Sequence, residues 1–259
     1  MVSVFAVTFL STRVWAKENG ESSNDSGIPE RNGDYPDPKN KDVRVRVFVH
    51  GPKDKEGKDT RRSDAPVLSC TDPDATTTVS AASWHLPSTV TYRLNTASVP
   101  SSVGGTNFGT LANSGFTAWQ NAVPGAYSFT RGANTSATRS SLDFQNIVAW
   151  GRTQGTALGV TYIRYYTATG LVADVDTIMN KKFQWNWTDP SVNACSLYSN
   201  TYDAQDILTH EIGHWVGLED EYDAALYGNH TMYGYGAKGE LKKNTLTTGD
   251  TTGTQAIYP

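Results

Sequence analysis

Cysteine is scarce in this chain: Cys70 and Cys195 are the only two among 259 residues. That excludes a scaffold stapled by several disulfides and leaves either one bridge in an oxidising compartment or two unrelated thiols. Positive charge is not in excess either. A formal net charge of −4 gives no electrostatic reason to expect nucleic acid or an acidic membrane as partner. Long apolar runs are missing as well, because "VSVFAVTFL" at residues 2–10 is too short to span a bilayer. No basic residue precedes that run and Arg13 lies on its far side, yet "VWA" at 14–16 ends in a small residue of the kind found before a signal-peptidase cut. The expectation is a secretory signal over 1–16 and an extracellular protein, against a disordered or cytoplasmic N-terminus. No internal repeat is visible. Sequons at Asn24, Asn134, Asn186 and Asn229 become glycosylation candidates only if the chain is exported through a glycosylating pathway.

What is present is an ordinary globular composition, 37% apolar and 11% aromatic, distributed unevenly. Residues 17–79 are polar and charged, as in "KENGESSNDSGIPERNGDYPDPKNKD", and only "VRVRVFVH" at 43–50 is able to form a strand. Such a segment does not bury enough apolar area to fold by itself, so it reads as a propeptide or linker. The folded domain is expected over 80–259. There "STVTYRLN", "AYSFTR", "NIVAWGR", "LGVTYIRYY" and "LVADVDTIMN" read as strands. The acids of the last, Asp174 and Asp176, suggest one face in water, as on an edge strand. They are also the residues that calcium would use, although alternating acids on an edge are more commonly just exposed, and calcium is not indicated. Helices are expected around 107–122, from an Asp203 N-cap to Leu218, and around 247–257. Strands interleaved with helices make an α/β (α+β) layered domain.

The stretch "LTHEIGHWVGLEDEYD" at 208–223 carries the chemistry. On a helix, His210 and His214 share a face and can aim one imidazole nitrogen each at an ion about 2.0–2.1 Å away. Glu211 lies beside them, placed to take a proton from metal-activated water without ligating the metal. Gly217 lets the backbone leave the helix left-handed, so that Asp220 approaches the same ion from another side. Three protein ligands and one open position distinguish catalytic from structural zinc, and zinc suits this N/O donor set. Glu219, Glu221 and His230 are the competing third-ligand candidates.

"HEIGHWVGLED" resembles the extended zinc signature of the metzincin metallopeptidases, with Asp220 where the third histidine of that signature stands. In this it is similar to the snapalysin-like bacterial enzymes, in which aspartate is the third ligand and a tyrosine follows two residues later, as Tyr222 does here. "TMYGYGAKGE" resembles the Met-turn beneath the metal and supplies Met232. "WHLPSTVTYRLN" is similar to the first strand of matrixin-type domains, and "LTTGDTTGTQAIYP" to their C-terminal helix. The resemblance implies a metzincin-type catalytic domain with a twisted, mostly parallel sheet, an active-site helix, a Met-turn and a C-terminal helix. It further implies one catalytic zinc on His210, His214 and Asp220, Glu211 as general base and acid, and Tyr222 as a transition-state residue. Tyr233 is placed by it, weakly, in the wall of the pocket for the side chain after the cut bond. An edge strand would hold extended substrate, a role open to "LVADVDTIMN". Cys70 in "SCTDPD" shares Cys-x-x-Pro-Asp with the cysteine switch of matrixin precursors but lacks its flanking arginine and glycine. The rival reading is a Cys70–Cys195 disulfide. Arg61-Arg62 is a candidate processing site. The expected activity is therefore that of a secreted zinc endopeptidase, made as a zymogen and acting as a monomer on protein or peptide substrates. The alternative is a zinc-stabilised binding or adhesion module of the same fold that cuts nothing.

Overall fold

The computed structural model describes residues 27–53, 72–189 and 200–259. Cys70, Cys195 and the candidate signal segment lie outside the described residues, as do Arg61 and Arg62. One half of the sheet is parallel: β3 (Thr89–Leu94), β4 (Ser128–Arg131), β5 (Asn146–Gly151) and β7 (Val172–Asn180) pair in the order β4-β3-β5-β7. Strand β3 alternates, so Val90, Tyr92 and Leu94 turn inward. There they meet helix α1 (Gly105–Ala122), whose Phe108, Leu111, Phe116 and Trp119 recur at helical spacing and are buried. Tyr92 stacks on Phe116 with ring centroids 3.9 Å apart.

Helix α2 (Ala204–Trp215) crosses this core with all twelve residues buried. Asp203 caps it, its carboxylate accepting from the backbone of Gln205 and Asp206 at 2.9 and 3.0 Å. Trp119 Nε1 donates to the Thr209 carbonyl at 2.7 Å, which fixes α2 against α1. Helix α3 (Ala224–Tyr227) is a single turn, and α4 (Thr248–Ile257) opens with a Thr247/Asp250 capping box. The mixed α/β architecture expected from the sequence is what is found.

The other half of the sheet departs from expectation in two places. Strands β1 (Gly33–Pro36) and β2 (Val43–Pro52) continue the sheet through β6 (Gly159–Tyr166), all antiparallel, in the order β1-β2-β6-β7. The strand expected at 43–50 exists. It is paired over eight residues with β6 inside the fold rather than standing in a linker before residue 80. Composition sets what a segment buries by itself, not what it joins. A strand needs only an edge to join, and Val45 and Val47 bury in one cluster with Val160, Tyr162 and Ile178.

The second departure is β7, which lies centrally between β6 and β5 and is not an edge. Its acids do not face water: Arg164 Nη1 sits 3.0 Å from Asp174 and 3.0 Å from Asp176, and Arg164 Nε lies 3.5 Å from Asp37. The guanidinium occupies the place a cation would take, so the calcium reading of these acids falls, and so does the role of β7 in holding substrate. Burial pushes the Asp176 carboxyl well above the usual range and raises Asp174 too.

Candidate metal centre

Carbonyl oxygens fix the tautomers of the two helix histidines. His210 Nδ1 lies 2.7 Å from the Thr231 carbonyl and His214 Nδ1 2.9 Å from that of Leu218; a carbonyl only accepts, so each Nδ1 carries the hydrogen and each Nε2 presents a lone pair. Just past the helix, Gly217 adopts φ 106°, as the turn required, and a Cβ there would stand 2.8 Å from the Trp84 carbonyl. The turn delivers Asp220 Oδ1 to 3.2 Å from His210 Nε2 and 3.5 Å from His214 Nε2.

A residue outside the expected set completes the cluster. His50, at the end of β2, packs its ring edge-on to His210 at 3.9 Å, and the donor atoms of His50, His210 and Asp220 all lie within 4.8 Å of one another. His210 Nε2, His214 Nε2, Asp220 Oδ1 and His50 Nδ1 are buried with no hydrogen-bond partner. Converging lone pairs without a donor among them are satisfied by a cation, and three imidazoles with one carboxylate suit zinc. Burial depresses His210 to about 4 and holds His50 well below its ordinary value, keeping both rings neutral. Burial opposes ionisation of Asp220 as well, but the flanking His214 and His210 more than offset it and hold its carboxyl well below the usual range.

Glu211 stands one residue along the helix. Burial raises it to about 7, against the pull of His214 and a hydrogen bond from Thr161. That bond ends a directed chain. Trp215 Nε1 is a donor only, so Thr177 Oγ1 accepts from it at 2.9 Å and donates to Thr161 Oγ1 at 2.7 Å, and Thr161 donates to Glu211 Oε2. Glu211 Oε1 is left without a partner, with Gly159 beside it: a Cβ on that glycine would lie 2.7 Å from this oxygen. Beneath the helix, Met232 is fully buried and so close to Gly213 that a Cβ there would collide with its sulfur. Asp250 of α4 accepts from the backbone of Thr231 at 3.0 Å and Met232 at 3.3 Å, tying the turn that orients His210 to the C-terminal helix.

The sequence profile of the matrixin family matches residues 83–259. The chain belongs to the matrixin family. It is thus a peptidase, a hydrolase, and the family implies a zinc metalloendopeptidase acting on protein substrates. No individual curated protein matches the chain. Among the described residues of this matrixin, no helix is long and apolar enough to cross a membrane.

Around the matrixin centre the remaining residues fall into place or out of it. The Tyr222 hydroxyl donates to Asp220 Oδ2 at 2.9 Å and accepts from Asn32 at 2.7 Å; the ring is 44% exposed, but desolvation of its hydroxyl end, aided by the Asp220 carboxylate, raises its pKa. Tyr233 is buried, and the open depression beside β2 is lined by Tyr235 and Tyr222 instead. The competing ligand candidates are engaged elsewhere. Glu219 pairs with Arg46 at 2.6 Å, Glu221 accepts from the backbone of Ser80, and His230 Nε2 meets the Thr77 carbonyl. Sequence reasoning missed Thr161 and His50, and also Lys243, whose buried ammonium holds the Tyr233 and Tyr235 carbonyls at 2.6 and 2.9 Å. None of the three belongs to a local pattern that could have exposed it.

Proposed function

We propose that this matrixin is a secreted zinc endopeptidase in which His210, His214 and Asp220 hold the ion and Glu211 moves the proton. The observation that carries the reading is the set of partnerless Nε2 and Oδ1 atoms with the unliganded Glu211 oxygen beside them. Zinc bound there supplies Lewis-acid polarisation of the scissile carbonyl and of the attacking water. Glu211, held near neutrality and aimed by Thr161, accepts the proton of the nucleophile and returns it to the leaving amine. Water is the nucleophile, so no covalent intermediate forms. The Tyr222 hydroxyl, protonated and anchored on Asp220, is positioned to donate toward a developing oxyanion once it turns from that carboxylate. Aspartate as a ligand adds a negative charge that histidine would not, which makes bound zinc a weaker acid and moves activity to higher pH. Secretion rests on the apolar run at 2–10 and the small residue at 16.

The binding-module reading draws support from one feature: His50 gives the cluster a fourth protein donor, as in a structural zinc site. The two readings separate in the Glu211→Ala variant. A peptidase keeps its zinc and loses cleavage of denatured casein; a module has no cleavage to lose.

A further inference from the structure

Strand β2 runs where a peptide would have to lie. Its last residues are flanked on one side by β6, antiparallel, and on the other by β10 (Tyr235–Gly236), parallel, in register Tyr235 to Gly51 and Gly236 to Pro52. This lane passes directly over the metal cluster. Phe48 stacks on His214 with centroids 3.7 Å apart and planes 5° from parallel, and His50 is edge-on to His210. Asn32, just before β1, bonds both the Val49 backbone and the Tyr222 hydroxyl. His210, Glu211 and His214 are left with no exposed surface, so no substrate carbonyl reaches them while β2 is in place.

The family match begins at residue 83, so β1 and β2 lie outside the unit that defines a matrixin. Without them β6 is the sheet edge nearest the cluster, and an extended peptide adds to such an edge by backbone pairing. We propose that residues 43–53 are an intramolecular occupant of the substrate lane, and that His50 Nδ1 is the fourth protein ligand of the metal, closing the site until the strand departs. His50 takes the part that the sequence resemblance gave to Cys70. Its Nδ1 is buried and partnerless, and its Nε2 lies 3.4 Å from Lys243 Nζ, which leaves Nδ1 as the atom free for an ion. The inhibitory half of the proposal rests on the peptidase reading. The ligand half does not.

The test uses the full chain with the Arg61-Arg62 stretch replaced by the recognition sequence of a site-specific protease. Cobalt is substituted for zinc so that the visible spectrum reports the donor set, and zinc affinity is measured by chelator competition. In the intact chain, His50→Ala and the more conservative His50→Gln should both change the cobalt spectrum. Each should weaken zinc by at least about tenfold, the lower end of what losing even an outer-shell partner costs. Nicking the linker and separating the N-terminal piece should start casein cleavage, and a synthetic 27–53 peptide should stop it, the same peptide with His50→Ala doing so at least about tenfold more weakly. Unchanged spectrum and affinity in both variants would overturn the ligand assignment. Full casein cleavage by the intact, un-nicked chain would overturn the occupancy. A nicked, separated, zinc-loaded protein that cleaves nothing, while the spectral change persists, supports the ligand assignment and sinks the peptidase reading instead.

Discussion

Glu211 shows how one side chain's chemistry is set by groups far away in sequence. The helix spacing that placed it beside two histidines is local, and so was legible; its acidity is not, because it comes from burial and from Thr161, fifty residues earlier. Removing that donor with Thr161→Val leaves a buried carboxylate oxygen unpaired. Hydrogen bonds to charged groups are worth about 1.5–3 kcal/mol, so the Glu211 pKa should rise by roughly 1–2 units and the acid limb of the kcat/KM profile should move to higher pH by that amount. An unmoved acid limb would mean that Glu211 is not the titrating base. His50 illustrates the opposite limit of legibility. In sequence it is separated from His210 by strands β3 to β7, though the two rings touch, and a single histidine at the end of a strand carries no spacing that announces a metal.

At the scale of elements, the capped helix and its left-handed exit form one device. Gly217→Ala forces an L side chain to φ 106° with its Cβ against the Trp84 carbonyl. Strain of that kind costs about 1–3 kcal/mol, and any relief moves Asp220; a lower denaturation midpoint together with weaker zinc binding is the expected pair of results. The N-cap at the other end titrates. Burial raises Asp203 from 3.8 to about 6, opposed by three backbone donors. A carboxyl with a raised native pKa binds its proton more tightly in the folded state. Its contribution is therefore fully present below pH 3.8 and is lost as pH rises through about 6, a change of about 3 kcal/mol at most. Asp203→Asn retains an accepting oxygen and has no such loss. Urea midpoints of the variant and the wild type should diverge in the variant's favour between pH 4 and 6.5, and parallel curves would show that Asp203 does not titrate there. Helix boundaries were legible because caps and 3.6-residue periodicity are local. The place of β7 was not, since alternating acids look the same whether they face water or a buried arginine.

For the whole molecule, the decisive feature is that one sheet joins the matrixin domain to the segment before it. By composition, residues 17–79 are too polar to bury a core of their own. What composition does not carry is the free edge of β6, which made a strand of "VRVRVFVH" and brought Asp37 within reach of Arg164. The buried arginine now holds three carboxylates from β7 and from the β1–β2 turn. Arg164→Leu leaves them uncompensated and should cost about 3–5 kcal/mol, with the deficit growing as pH rises and the acids must ionise. Thermal unfolding at pH 5 and pH 8 measures both statements, and a loss under 1 kcal/mol at pH 8 would mean that the cluster is already relieved by protonation or water.

The measurement that bears most directly on the central claim compares wild type and Glu211→Ala in the linker-cleaved, separated form, for zinc content and for casein hydrolysis with and without chelator. A zinc endopeptidase with Glu211 as its base predicts one zinc per chain in both proteins. Only the wild type should then cleave chelator-sensitively, and the variant should be slower by about 10²–10⁴, the usual worth of a general base. Equal hydrolysis by the two proteins, or none from a folded, zinc-loaded wild type, would contradict it.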